Sequence, residues 1–494
     1  MAYEVSTFMR YDYAKTYVQL VQPTFMFKYY GFEWIPRLSL EAWKIYLWTM
    51  MGLCACFTLG FFYHIAAVAY FFMFTALYLT DMTFYLNHFY LIICLCATLA
   101  VMPANRHFSL DALLFPNRVK PSMYVPRWTI DLMRFMIAVV YVHAGIAKMN
   151  EDWIRGEPLN HWVPSRCRQA PAMCDVLQHP LVPLAMSWAG LLWDTFAPVF
   201  LYAKGRLRWL GFAASTFFHI SNKLVFNIGV FPWVMLVITM TFFEPDWPVT
   251  VGQALGVVSR RVRESWPEPP RPHRGAYTLR QLAVLAMMVS WGAFHTFYPL
   301  RHYMYPGDVT WNEMGHRYSW RMKLRDKAGM TKFFVTVRHS ETDVETFLAP
   351  LTKLLNGRQI RKMAGRPELI HLTADYIADV VEERAGVRPE VRAVVVASVN
   401  YRQPQYMVNA TVDLAAIEPW TWPNTWVVEL LPRDVDPSHA MVPRNPREAR
   451  SSGKNRLFEA YDHIDLAEAL VAFEPYVDRA ARTAADAFHG KTAT

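Results

Sequence analysis

The apolar residues of this chain are bunched. From Ala42 to Leu300 they form blocks about as long as a bilayer crossing, separated by short polar loops, whereas the sequence after Arg301 has the mixed polarity of an ordinary globular domain. A hydrocarbon layer of about 30 Å takes roughly 20 residues of helix, and within it a chain must satisfy its own backbone hydrogen bonds, as a helix does. The pattern therefore predicts a polytopic α-helical membrane domain of about eight spans, followed by a small α+β extracytoplasmic domain. Candidate spans lie at 43–62, 65–81, 84–102, 127–147, 181–203, 206–222, 225–243 and 278–298.

Charge placement orients these spans. The net charge of +9 would suit a nucleic-acid partner if it were spread over a face, but the basic residues sit in short loops: Arg106, Arg118, Lys120 and Arg127; Lys204, Arg206 and Arg208; and Arg260 through Arg280. With eight spans all three loops fall on one side, which the positive-inside rule makes cytoplasmic. No nucleic acid is expected. The loop 148–180 and everything after Arg301 then lie outside, and the chain reads as a multi-pass integral protein, expected in a bacterial inner membrane.

Three regions follow: an interfacial, aromatic-rich segment at 1–40, a transmembrane domain at 41–300 and an extracytoplasmic domain at 301–494. In the last, Phe333–Arg338 and Val391–Val399 have the β-branched or alternating character of strands. Pro367–Glu383 has its apolar residues at helical spacing, and a final helix fits Asp462–His489. Of the six cysteines, Cys54, Cys56, Cys94 and Cys96 read as small core residues, while Cys167 and Cys174 share a loop and can pair in an oxidising compartment.

Signatures of common enzyme classes are absent: there is no H-E-x-x-H, Walker loop, G-x-S-x-G or G-x-G-x-x-G, and none of the 16 histidines is spaced H-x-x-x-H. No metal is expected. What remains is a set of polar residues at span ends. Asn87 and His88 open the third span, Lys148 closes the fourth, His219 and Asn222 close the sixth, and His302 follows the eighth. Each alone reads as a satisfied core histidine or a snorkelling lysine. All meet at the outer membrane face, and an ionisable residue at that depth is a functional hypothesis by default. A lysine stripped of water there could serve as a general base, with His88 polarising a bound oxygen and Asn87 as a fixed donor. Asn105, Arg106 and Asp111 fall on the opposite face, where a capping or orienting role is expected, and Asp131 and Arg134 most simply pair with each other.

These motifs resemble the vitamin K-dependent gamma-glutamyl carboxylases. The segment AGIAKMNEDWIRGEPL is similar to the family's AG-x-x-K-(x)₃-DW-x-x-G, and the likeness extends in order over FYLNHFYL, MPANRHFSLDAL, FFHISNKLVFNIGVFPWVML and RHYMYPGDVTWNEMGHRYSWRMKLR, then more weakly through VVVASVNYRQPQYMVNATVDL. The resemblance implies a lysine, here Lys148, that deprotonates reduced vitamin K, a naphthohydroquinone. Oxygen then converts the quinol to its 2,3-epoxide and generates a strong base, which takes the γ-hydrogen of a glutamate in a peptide or protein substrate so that carbon dioxide can add. It further implies that His88 and Asn87 hold the cofactor, and that His219 and His302 correspond to family histidines. Where the family's animal members carry a second lysine beside the first, this chain has Ala147. The resemblance also implies one more span ahead of the aromatic segment and a distal luminal region, neither with a counterpart here. Two other readings fit the same residues: a quinol epoxidase without peptide carboxylation, and a non-enzymatic quinone- or lipid-binding membrane protein.

Overall fold

The computed structural model describes residues 20–21, 25–122, 124–226, 228–257, 276–418, 424–436, 461 and 464–473. The chain divides into two compact units, the first made of Met1–Val21, Lys28–Arg301 and Arg317–Leu324, the second of Gln22–Phe27, His302–His316 and Arg325–Thr494.

In the first unit every predicted span falls on a helix: α1 Leu40–Leu59, α2 Tyr63–Leu79, α3 Asn87–Val101, α4 Arg127–Lys148, α5 Leu181–Tyr202, α6 Arg206–Val225, α7 Phe231–Thr239 and α8 Leu279–Phe297. Four segments are long and apolar enough to cross a membrane, namely α1, α4, α5 and the stretch Leu279–Met304 that begins with α8. Among the described residues this measure finds four, and it leaves the other predicted spans unconfirmed. Helices α2 and α3, and Phe231–Phe242, are apolar but shorter, at 10–17 residues. Helix α6 has the length, at 20 residues, but carries Ser215, His219 and Asn222 along with Arg206, Arg208 and Lys223. Of these, Ser215 and His219 are buried, while Arg208 pairs with Glu244 and Lys223 donates to the Gly229 carbonyl.

Helix ends follow local chemistry. The Ser39 side chain accepts the backbone N–H of Ala42 to start α1, and Gly60, at φ 63°, ends it. Only glycine fits at position 60, because a Cβ there would stand 2.5 Å from that of Ser109. Helix α2 is capped from a distance: Asp111 accepts hydrogen bonds from the backbone N–H groups of Phe62 and Tyr63 at 2.7 and 3.0 Å, and from the Asn105 side chain at 2.8 Å. The capping role expected of MPANRHFSLDAL is met by Asp111 and Asn105. Asp131 lies 3.7 Å from Arg134, as expected, and closer still to Arg127, at 3.1 Å. Two glycines set how near the long helices approach. A Cβ on Gly145 of α4 would fall 2.6 Å from Thr195 Oγ1 and 2.9 Å from its backbone nitrogen in α5, and one on Gly211 of α6 would fall 2.8 Å from Phe200 Cβ. Small residues at such crossings let backbones touch, the main source of helix attraction where no hydrophobic drive exists. Cys167 and Cys174 are disulfide-bonded in the loop between α4 and α5.

The second unit is built on a four-stranded antiparallel sheet of β1 Lys327–Arg338, β2 Val344–Leu348, β3 Glu390–Val399 and β4 Gln405–Tyr406, in the order β2-β1-β3-β4. Both expected strands and the expected helix, now α9 Pro367–Ala385, are present. Strand β3 is buried on both faces. Val394 and Val396 pack with Tyr406, Ile464 and Phe473, and α9 packs on the sheet through its own buried Leu369, Ile370 and Ile377. Of the predicted final helix, residues 466–473 are helical, and the remainder lies outside the described residues.

A charged knot braces this unit. Glu313 accepts Arg325 at 2.7 Å, Lys327 at 3.4 Å and Arg366 at 3.8 Å. Burial alone would raise the Glu313 carboxyl, but the three cations outweigh it and hold it well below the usual carboxylate range. Lys362, nearby on the same cationic side, is pushed down to about 7, chiefly by burial and further by Arg366, Arg358 and Arg325. Since the unfolded chain holds this proton up to the ordinary lysine value of 10.5, it binds more protons than the folded chain between about pH 7 and 10. Stability should therefore rise with pH across that window. The expected outcome for Lys362→Met is a higher melting temperature at pH 7 and a flatter rise towards pH 10, read by thermal unfolding of the whole chain in detergent. An unchanged pH slope would contradict the assignment.

Candidate active site

Tyr141, Ala144 and Lys148 are spaced by three and four, so they share one face of α4. That face is turned to α5, and the Gly145–Thr195 contact draws the two helices close enough for Lys148 to meet Asp194. Lys148 Nζ donates to Asp194 Oδ2 at 2.5 Å and to the carbonyl oxygen of Ala144 at 3.2 Å. Lysine and aspartate are 6% and 4% exposed, so the pair is cut off from water. A buried carboxylate or ammonium left alone costs several kcal/mol, roughly 3–5 kcal/mol when a partner is removed. Each group therefore accounts for the presence of the other.

The turn after α4 fixes this arrangement. Asn150 accepts the Trp153 backbone N–H and donates to the Ala147 carbonyl at 2.9 Å. Trp153 places its ring 5.3 Å from Lys148 Nζ and anchors its indole N–H on the Ser187 carbonyl at 2.9 Å, while the Ser187 hydroxyl donates back to the Trp153 carbonyl. Gly156 completes the turn at φ 86°, where a side chain would strike Asn160.

Lys148 and Asp194 line a cavity of about 580 Å³, together with Asn87, His88, Tyr141, His219 and Asn222. His219, 1% exposed, is bonded through Nε2 to the Tyr141 hydroxyl at 2.8 Å, and that hydroxyl is 3.2 Å from Ser215 Oγ. The other nitrogen, Nδ1, is buried without a hydrogen-bond partner. Asn87 Oδ1 accepts from the Tyr85 hydroxyl at 2.9 Å, which fixes its orientation at the start of α3. The cavity wall is otherwise apolar, with Phe218, Phe226, Phe231 and Met235. A second, almost wholly apolar groove of about 610 Å³ runs between α5 and α6 and shares Met186, Gly190, Phe218 and Asn222 with it; Phe196 and Phe217 stand exposed along its length.

Of the residues expected at the site, Lys148, His88, Asn87, His219 and Asn222 meet at this cavity. His302 does not. It belongs to the second unit, where it is 6% exposed with its main chain packed against Gly315. Sequence reasoning missed Asp194, Tyr141 and Lys323, of which Lys323 sits on the cavity wall with its ammonium 5.6 Å from the Trp162 ring. A signal for Asp194 was present, as an acid in the middle of the apolar segment LLWDTFAPVF.

The pocket fits a reduced naphthoquinone. Its volume lies in the range of small-molecule sites. It offers the Lys148–Asp194 pair, an orphaned imidazole nitrogen on His219 and apolar walls, and the adjoining groove suits an alkyl tail. Because Gly145 sets the α4–α5 distance, Gly145→Val should push the helices apart and loosen the pair. We expect a melting temperature lower by several degrees in detergent, and a wild-type value would contradict this close contact.

Comparison with known families agrees with the motifs. The HTTM domain model matches residues 1–247, and the model of the vitamin K-dependent gamma-carboxylase lumenal domain matches residues 280–433. No solved structure matches the chain. Half of the chain thus lies in one of these domains and most of the remainder in the other, on a membrane-type helical unit followed by a lumenal-type domain. The chain belongs to the vitamin K-dependent gamma-carboxylase family.

Proposed function

We propose that this protein is a membrane carboxylase that couples oxidation of reduced vitamin K to carboxylation of glutamate in a peptide or protein, across the eight-crossing topology read from the sequence. The observation that carries this is the buried Lys148–Asp194 pair at the wall of a cavity shaped for a flat, lipid-soluble ring. Reduced vitamin K, when bound, supplies the oxygen chemistry that no side chain can perform, ending as the 2,3-epoxide and providing the base for the γ-carbon of glutamate.

The chain's own residues do the rest. The couple of Lys148 Nζ and Asp194 Oδ2 would take the proton of a ring hydroxyl and end as an ammonium on Lys148 and a carboxylic acid on Asp194, which keeps a cation beside the oxygen that loses the proton. His219 Nδ1 is left free to bond a second ring oxygen, because Nε2 is tied to Tyr141. His88 and Asn87 line the cavity from α3 and would help hold the ring. Apolar walls keep water from the reacting atoms. The groove between α5 and α6 lets a lipid-soluble molecule arrive from the bilayer, and Lys323 is a cation of the kind that orients a glutamate carboxylate.

The test is a membrane assay with vitamin K hydroquinone, oxygen, radiolabelled carbon dioxide and a glutamate-containing peptide, scoring epoxide and fixed label. Both products are expected. Epoxide without label would confine the activity to quinol oxygenation, and neither product from folded protein would overturn the enzymatic reading. Lys148→Ala should lose about 10²–10⁴-fold of epoxide formation, the usual worth of a positioned proton acceptor, with partial rescue by small amines. Full epoxidation by this variant would remove Lys148 from the mechanism.

A further inference from the structure

The first unit holds a second cavity, which the chemistry proposed for the first leaves unused. It measures about 870 Å³ and is lined by the start of α2, the loop after α3, and the start of α8. Helix α3 connects the two places: Asn87 at its first residue lines the candidate active site and Val101 at its last lines this cavity. The 15 residues of α3 rise about 22 Å, so the two cavities lie at opposite ends of that helix. On the topology read from the basic loops, this one is cytoplasmic.

Its chemistry is divided. Arg106, Arg118 and Arg280 converge on it from three separate segments, whereas Ile65, Leu285 and Met288 form an apolar part. Among the described residues none of the three guanidinium groups is within ion-pairing distance of a carboxylate. One acid, Asp111, lies in the wall, but its oxygens are committed to the Phe62 and Tyr63 N–H groups and to Asn105. These three hydrogen bonds, opposed by burial, hold its carboxyl below the ordinary value, so it stays occupied as the cap of α2. The neighbouring loop also carries its apolar side chains outward: Phe108 is 99% exposed and Leu113 73%. A short basic segment that shows aromatic and leucine side chains to its surroundings beside apolar helix ends lies at the headgroup level of a bilayer.

We propose that this cavity binds the phosphate of an anionic phospholipid from the cytoplasmic leaflet, with the arginines on the phosphate oxygens and an acyl chain along Ile65, Leu285 and Met288. Guanidinium groups match phosphate in a forked, two-point geometry. Three of them without a protein counter-charge leave a local positive potential that a lipid phosphate neutralises, and basic residues near a membrane surface each contribute about 1 kcal/mol to such binding. The site stands whatever the first cavity binds.

The experiment uses the full chain, stripped of lipid in neutral detergent and titrated with phosphatidylglycerol, read by native mass spectrometry and by melting temperature. Saturable binding of one lipid with a rise in melting temperature is expected. A variant carrying R106Q, R118Q and R280Q together should bind at least about tenfold more weakly. Its lipid-free melting temperature should be unchanged, since the three side chains make no ion pairs among the described residues. Met288→Trp, which fills the apolar end, should also weaken the lipid. Two control ligands separate the sources. Diacylglycerol, with tails and no phosphate, should not bind there. Displacement by glycerol 3-phosphate at equal concentration would reassign the site to a soluble phosphate ester and overturn the lipid. Wild-type affinity in the triple variant, or diacylglycerol binding as well as phosphatidylglycerol, would overturn the phosphate site itself.

Discussion

One ion pair sets the terms for the rest of the membrane unit. Lys148 and Asp194 come from helices α4 and α5, and neither could be buried at this depth without the other. Such a pair needs its partners held still, because a displacement of an ångström exposes a charge to hydrocarbon. The surrounding structure supplies that stiffness. Gly145 lets α4 and α5 touch at Thr195, and Trp153 is locked to Ser187 by two hydrogen bonds. The polar turn Asn150–Gly156 thus reads as a clamp on the end of α4 rather than as a solvent loop.

The same rule recurs elsewhere in the chain with different consequences. Glu313 in the second unit is buried among Arg325, Lys327 and Arg366, an excess of cations that keeps it ionised and ties the segment before β1 to the start of α9. Asp111 is buried against two backbone N–H groups and an amide, and caps a helix that has no side-chain cap of its own. Three buried carboxylates therefore do three jobs, and the neighbours decide which. Of these three, Asp194 is the one hydrogen-bonded to a lysine at a cavity wall.

Much of this architecture is legible in the sequence. Apolar block length locates the helices of the first unit that lie in the predicted spans, and β-branched runs locate β1 and β3, because both signals are local. The span count is not legible in the same way, since α6 carries both cavity-lining polar residues and charged ones near its ends, and α2 and α3 are short. The border position of Lys148 marks it, but its partner lies 46 residues away on another helix, a separation no periodicity reports. Asp194 stands out as a lone acid within an apolar segment, yet LLWDTFAPVF reads as continuous membrane helix and hides it. His302 misleads in the opposite direction. A histidine next to a span end suggests the site, but the chain folds back at that point and His302 packs against Gly315 instead. Lys323 lies in a segment, Arg317–Leu324, that returns to the first unit after the chain has entered the second, and only tertiary structure reveals that return.

The central claim is that Lys148 and Asp194 act as a unit. A double-mutant cycle on epoxide formation, comparing Lys148→Ala, Asp194→Ala and the two together, addresses it most directly. Groups that work as one give strongly non-additive losses. The account predicts that either single change removes nearly as much activity as the double change. Losses that multiply, or an Asp194→Ala enzyme that keeps wild-type epoxidation, would contradict it.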